Sequence, residues 1–244
     1  GAHTAFAQMV AEAVNIPLDL VELDLGDTAS AGDAGSASAS RLTFMAGNAI
    51  IGAVEKAKTA WENEERPAVG EHIYRPPPTS MYDPTTGKSE PNFAYGYAAQ
   101  SAEVIVDLET GVVEVLNVVC ALDPGRVINP LGVTGQIEGA IAQAHGYTLL
   151  EHFKMRDGHV ETPSFGTYLI PTSKDVPREV RSVIVENPDP LGPWGARGIG
   201  EMPFLPYAPA IVAAIFDATG VWFTELPIIP EKIVFKMREL GLGG

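Results

Sequence analysis

A carboxylate stands inside a glycine-punctuated turn at Gly195-Ala196-Arg197-Gly198-Ile199-Gly200-Glu201-Met202-Pro203. Glycines at 195, 198 and 200 permit positive φ and close approach of the backbone to a bound group, and Pro203, Pro206 and Pro209 stiffen the exit. Ala208 to Ala218 follows as an apolar helix closed by Gly220, so Glu201 is expected just ahead of a helix N-terminus, where N–H groups favour an anion. A carboxylate held there stays ionised and can act as a base. The same pattern also suits a surface turn whose Glu complements a helix dipole.

A second stretch with chemistry in it is the small-residue loop Gly26 to Ser40, which feeds a strong helix pattern from about Arg41 to Trp61. Ser36, Ser38, Ser40 and Thr43 offer hydroxyls, Ala37 and Ala39 leave backbone N–H groups bare, and Arg41 supplies a fork at the helix start. Together they could cradle an oxyanion or phosphate. A flexible serine-rich linker is the alternative, though it does not require a strong helix directly behind it. Gln136, in Gly135-Gln136-Ile137-Glu138-Gly139, has donor and acceptor atoms at the expected start of a helix running to about Leu150, suited to a polar heterocycle or an oxo group; a solvated helix residue reads the same way. His145 has no second histidine at ligand spacing and is expected to pack, and His3, His72, His152 and His159 are scattered.

The elements that must position these residues follow from periodicity. Thr4 to Val14 places Phe6, Met9, Val10, Ala13 and Val14 on one helix face, ended by Asn15-Ile16-Pro17. Leu20 to Leu25 alternates Leu and Val with acidic residues, which predicts a half-buried strand. Glu62 to Asn92 reads as an extended, proline-rich arm. Ala99 to Val106 and Gly111 to Leu122 predict a hairpin, and Thr162 to Leu169 with Glu179 to Glu186 a second strand set. The chain closes with an extended Leu226 to Ile233 and a short helix to Leu240. Strand sets with segregated helices indicate an α+β fold of two subdomains, expected at residues 1–66 and 93–244 with the arm 67–92 between them and the loops converging on one cleft.

Composition narrows the partners. With 31 acidic against 16 basic residues and a net charge of -15, the chain is repelled by nucleic-acid phosphate and anionic membrane. No window is expected to span a membrane and no signal peptide opens the chain, so a cytoplasmic protein without membrane insertion is expected. The single cysteine, Cys120, excludes an internal disulfide or a cysteine-ligated zinc or iron–sulfur centre within these residues, and its apolar run predicts a reduced, buried strand position. His3 to Val14 is already a helix pattern, so a fragment or a subunit of something longer is expected.

Three punctuated loops, each opening a helix, together resemble the molybdenum-binding portion of the xanthine dehydrogenase and aldehyde oxidase family. Gly1-Ala2-His3-Thr4 resembles the end of that family's glycine-glutamine-glycine motif. Gly26-Asp27-Thr28, Ala39-Ser40-Arg41-Leu42-Thr43 and Gly47-Asn48-Ala49 resemble its cofactor loop. Val106-Asp107 to Gly111, Asp123-Pro124-Gly125-Arg126 with Asn129-Pro130, Gly135 to Gly139, Gly198-Ile199-Gly200-Glu201 and Leu226-Pro227 to Glu231-Lys232 follow in the family's order.

The resemblance implies that Ser36, Ala37, Ser38, Ala39, Ser40, Arg41 and Thr43 hold the phosphates of a molybdopterin cofactor carrying molybdenum, often with a cytosine nucleotide attached in bacterial members. It implies that Gln136 and Gly200 contact the cofactor and that Glu201 is the base deprotonating a molybdenum-bound hydroxyl, with water as the oxygen source and no side chain on the metal. Iron–sulfur and flavin or haem groups are then expected on partners. Leu42 stands where many members carry a hydroxyl, and Gly1 stands where the glycine-glutamine-glycine motif finishes, so an upstream molybdenum subdomain or subunit is a further expected partner and the chain alone is expected to be inactive. Other readings of the same residues are a structural or assembly subunit without bound cofactor, and a hydrolase pairing Glu201 with Asp189 or Asp123.

Overall fold

The computed structural model describes residues 1–242, leaving aside the side chain of Ala39. It is a mixed helix and sheet structure that divides into two compact units, each assembled from three stretches of chain. The first comprises Gly1–Tyr97, Asp123–Val133 and Val185–Gly200; the second comprises Ala98–Leu122, Thr134–Ile184 and Glu201–Gly244. These differ from the contiguous division expected above, because distant loops are bonded into the first unit: Asn48 Nδ2 donates to the Leu191 carbonyl at 3.1 Å, and residues 125 and 196 form a β-bridge.

In the first unit, α1 (Ala2–Val14) packs against α2 (Arg41–Glu62). Ala5 and Met9, one helical turn apart, are buried, and Asn15 in the left-handed region (φ 62) ends α1. Lys58 Nζ donates to the Ala13 carbonyl at 2.6 Å, satisfying one of the carbonyls that a helix end leaves open. Phe44 of α2 is buried with its ring 5.3 Å from Phe93 and 6.4 Å from Tyr74, which draws part of the proline-rich arm onto the helix. The strand expected at Leu20 to Leu25 does not form: Leu18–Leu20 is a 3-10 turn, the rest is irregular, and Leu20, Leu23 and Leu25 are exposed. Alternation gives two faces, but a strand also needs a ladder partner to bury one of them.

The second unit holds a three-stranded sheet in the order β1 (Tyr97–Val106), β2 (Val113–Asp123), β5 (Glu179–Ile184). β1 and β2 are joined by six residues, too few for a parallel crossover, so they form the expected hairpin. β5 pairs parallel to β2, from Asn117 opposite Glu179 to Leu122 opposite Ile184. Glu179 to Ile184 therefore extends this sheet and does not start a separate strand set. Thr162 to Leu169 is turns, with the Thr167 and Tyr168 N–H groups both on the Ser164 carbonyl; the short β3 (Met155–Arg156) and β4 (His159–Val160) pair just before it.

Cys120 is buried on β2 beside Val118 and Leu122, as expected. The core is completed by Ile137, Ile141 and Ala144 of α3 (Pro130–His145), Tyr207, Ile211 and Ile215 of α4 (Tyr207–Thr219), and Ile233 and Met237 of α5 (Pro230–Glu239). The stretch Met202–Thr219 is long and apolar enough by length and composition alone to cross a membrane, at mean hydropathy 1.3, although Asp217 interrupts its apolar residues. In the fold it is a 3-10 turn followed by α4, and α4 turns its apolar stripe into the core.

His145 packs, as its isolation predicts. It is buried and shares a 2.8 Å hydrogen bond through Nδ1 with the Tyr207 hydroxyl. Burial holds the imidazole below its ordinary value, with the Asp175 charge opposing the shift. Unfolding frees it to take up a proton, so its contribution to stability is present above about pH 6.5 and is lost as pH falls from there through the folded value. Urea denaturation between about pH 7 and pH 5.5 is expected to show this group removing up to ~1.4 kcal/mol per pH unit. His145→Gln, which keeps a partner for Tyr207 but cannot titrate, is expected to flatten that part of the profile.

Candidate functional site

Two loops of the first unit that precede Glu201 in the chain are laced backbone to backbone. Asp189 folds its own loop, its Oδ1 accepting the Leu191 N–H at 2.8 Å. Pro193–Gly195 is a single 3-10 turn with Trp194 at φ 50 and Gly195 at φ 86. Those two left-handed residues turn the Gly195 carbonyl so that it accepts the N–H groups of Arg126 and Asp189, both at 2.9 Å. The Arg197 N–H donates to the Pro124 carbonyl at 2.8 Å. Gly125, at φ 68, has no room for a side chain, since a Cβ there would collide with the Gly195 carbonyl oxygen.

Arg197 locks these loops together. Its Nε donates to Asp189 Oδ2 at 2.9 Å, and its Nη1 lies 3.1 Å from Asp123 Oδ1, an ion-pair distance without hydrogen-bond alignment. All three side chains are about nine-tenths buried, at 10%, 8% and 11% exposure. Asp123 Oδ1 also accepts the Gly125 N–H at 2.9 Å and the Asn187 N–H at 3.3 Å. Burial by itself lowers the guanidinium's pKa, but the hydrogen bond to Asp189 and the Asp123 charge outweigh it and hold the pKa above its ordinary value. Both aspartates are thus spent on a structural ion cluster, which removes the support for pairing either with Glu201 in a hydrolase. Sequence reading missed this role of Arg197, because its partner Asp123 is remote in the chain.

Beyond the clamp, the turn presses on the head of α2. Ser40, at φ 58, precedes α2 in a left-handed conformation. A Cβ at Gly198 would collide with the Ser40 carbonyl oxygen, and one at Gly200 (φ 49) with the Ser40 hydroxyl. Ser40 Oγ therefore faces Gly200 and makes no side-chain cap on α2, whose first turn also lacks an acidic residue. Ahead of it the loop is folded on itself: Ser36 Oγ and Ser38 Oγ are 2.6 Å apart, and the Ser38 N–H donates to Ser36 Oγ at 3.0 Å. Arg41 turns back, its Nη1 donating to the Ser36 carbonyl at 2.7 Å. Ser36, Ala37 and Ser38 are exposed and Thr43 is half-buried, while the side chain of Ala39 lies outside the described residues.

Gln136 and Glu201 belong to the second unit. Gln136 is exposed on α3, but the helix starts at Pro130, so Gln136 lies in its second turn and not at its start. The signal was present: Asn129 Oδ1 accepts the Gly132 N–H at 3.0 Å, and Pro130 occupies the first helical position. Glu201 is exposed and opens the 3-10 turn Met202–Phe204, its carbonyl accepting the Phe204 N–H at 3.0 Å. It is therefore separated from α4, which begins at Tyr207, by this intervening turn.

The family described as molybdopterin cofactor-binding domain matches residues 1–66 and 57–177. The chain belongs to this family. It is similar to a probable xanthine dehydrogenase subunit from Bacillus subtilis, 33% identical over 278 residues that cover 99% of this chain and 36% of the relative. The aldehyde oxidoreductase of Megalodesulfovibrio gigas is 34% identical over 228 residues, 87% of this chain and 24% of the relative. Among solved structures, the aldehyde oxidoreductase from Desulfovibrio desulfuricans matches with a TM-score of 0.85 at 31% identity, over 96% of this chain and 27% of that one. The chain thus spans about a third or less of these relatives. The molybdenum-binding portion of the xanthine dehydrogenase and aldehyde oxidase family is the part it represents, as the motif order implied.

The ion cluster sets a stability test. Arg197→Met leaves two buried carboxylates without their cation and is expected to cost about 3–5 kcal/mol in guanidinium chloride unfolding. Removing the charges together, in Arg197→Met with Asp123→Asn and Asp189→Asn, is expected to cost less than Arg197→Met alone.

Proposed function

We propose that this chain is the molybdopterin-binding portion of a molybdenum hydroxylase in which Glu201 is the general base. The observation that carries the reading is the fit of Gly198 and Gly200 against Ser40 at the head of α2, with Glu201 the next residue of the chain. A helix start with no side-chain cap and no acidic first turn is a donor set suited to a phosphate-bearing cofactor. Ser36, Ser38, Ser40 and Thr43 add hydroxyls there, and Arg41, donating to the Ser36 carbonyl, holds the loop's shape. The cofactor proposed is the nucleotide-extended form, with cytosine, as the resemblance to bacterial members implies.

When bound, the cofactor supplies a Lewis-acidic, two-electron-accepting metal centre. The chain's own residues do the rest. A Glu201 carboxylate oxygen takes the proton from the water-derived oxygen that attacks an electrophilic carbon. Gln136 presents an amide able both to donate to and accept from the cofactor's heterocycle, and Gly200 lets the backbone approach it closely. The substrate class is an aldehyde or an N-heterocycle, in keeping with relatives named aldehyde oxidoreductase and nicotinate dehydrogenase. The remaining pocket wall comes from an upstream molybdenum-binding portion, and electrons leave through iron–sulfur and flavin or haem groups on partner domains or subunits.

The test is Glu201→Gln in the complete enzyme, assayed for aldehyde and N-heterocycle hydroxylation alongside molybdenum and pterin content. Loss of a general base is expected to lower kcat by about 10²–10⁴-fold with cofactor content unchanged. Hydroxylation at the parent rate would remove Glu201 from the mechanism.

A further inference from the structure

Gln100 occupies a place on β1 where a polar side chain is costly. Along β1 exposed and half-buried positions alternate, and the half-buried set is Ala98, Gln100, Ala102, Val104 and Val106. A glutamine in that row must find partners for its amide or forfeit its hydration. Its Nε2 donates to the Pro203 carbonyl at 2.6 Å and lies 3.4 Å from Cys120 Sγ, while its Oε1 is buried without a hydrogen-bond partner among the described residues. One half of the amide is thus left unsatisfied in order that the other half reach Pro203.

Pro203 lies two residues after Glu201, in the single 3-10 turn Met202–Phe204. Such a turn has little to hold it by itself. Its own bonds are the Phe204 N–H to the Glu201 carbonyl at 3.0 Å and the Leu205 N–H to the Met202 carbonyl at 3.3 Å. Pro203 is buried, and among the described residues of the second unit the Phe204 ring lies 5.6 Å from Tyr147 while the Gln100 amide holds the Pro203 carbonyl. The Gln100 bond is the short, directional one of the two.

We propose that Gln100 is a positioning residue for Glu201, an inference that rests on the reading of Glu201 as the base. It never meets the substrate; it fixes the turn that starts at Glu201, and so the orientation from which the carboxylate works. Gln100→Met keeps nearly the same volume and deletes the donor. In the complete enzyme this variant is expected to lower kcat about tenfold with KM within about twofold of the parent, molybdenum and pterin content unchanged. A readout independent of turnover is hydrogen exchange. The Phe204 and Leu205 amides, which close the turn, are expected to exchange about tenfold faster in the variant, while those of α3 and α4 are unaffected.

Parent kcat in Gln100→Met, or unchanged exchange at the Phe204 and Leu205 amides, would overturn the proposal. A kcat loss that merely tracks loss of bound cofactor would do so too. Should Gln100→Met fail to accumulate, Gln100→Asn keeps an amide but withdraws it by one methylene, and carries the same expectations. The two readings fail separately. A fully active Glu201→Gln refutes the base whatever Gln100 does, and a crippled Glu201→Gln beside a normal Gln100→Met refutes only the positioning role.

Discussion

A guanidinium buried between two carboxylates is the constraint on which the first unit's site loops depend. Removing three charges from water is expensive, and the cost is offset only where geometry and supplementary hydrogen bonds are good. Here Arg197 reaches Asp189 and Asp123 from different atoms of one planar fork, which an ammonium on a flexible stem could not reproduce. The backbone N–H groups of Gly125, Asn187 and Leu191 absorb further negative charge. Without the cluster, the stretches around residues 123–127 and 187–198 would lose the ion pairs that bind them across a long separation in sequence. A β-bridge, some backbone bonds and the Val127 N–H on Glu186 Oε1 would remain among the described residues.

What the cluster secures is local and short-ranged. Arg197 is followed at once by Gly198 and Gly200, the residues that fit against Ser40, and then by Glu201. Ser40 adopts a left-handed backbone and turns its hydroxyl toward Gly200 instead of capping α2. That sacrifices the usual stabilisation of a helix start and keeps the donors of a 22-residue helix for something else. Trp194, a bulky residue at φ 50, is a second strained position in the same loop. Strain of this kind persists where the surroundings over-determine it, commonly at functional sites. Downstream of Glu201 the chain is held differently, through the Phe204 ring and the Pro203 carbonyl.

The sequence made the helices legible because their signals are local. Asn15 and Gly220 mark the ends of α1 and α4. Of the face expected on α1, Met9 is buried but Val14 is exposed. Helix α5 begins at Pro230, inside the stretch Leu226 to Ile233 expected to be extended, because a proline suits a first helical position as well as an extended segment. It made the family legible because several weak motifs occur in one order. The strand expected at Leu20 to Leu25 failed because alternation says nothing of a ladder partner, and Thr162 to Leu169 failed likewise. The start of α3 was misplaced through Gly135, although Asn129-Pro130 carried the stronger signal. Arg197, buried between Asp123 and Asp189, was not legible at all. Its chemistry is defined by a residue far away in the chain, and the motif that contains it reads equally well as an exposed basic turn.

The family membership covers cofactor binding, and the chemistry proposed for Glu201 presupposes it. The most direct measurement is therefore molybdenum and pterin analysis of the complete protein containing this chain, repeated with Gly198→Ala, which puts a Cβ against the Ser40 carbonyl. The account requires about one molybdenum and one pterin per chain in the parent and a marked loss of both in the variant, with the fold retained. A parent that carries neither molybdenum nor pterin would contradict it, as would a Gly198→Ala protein that binds the full complement.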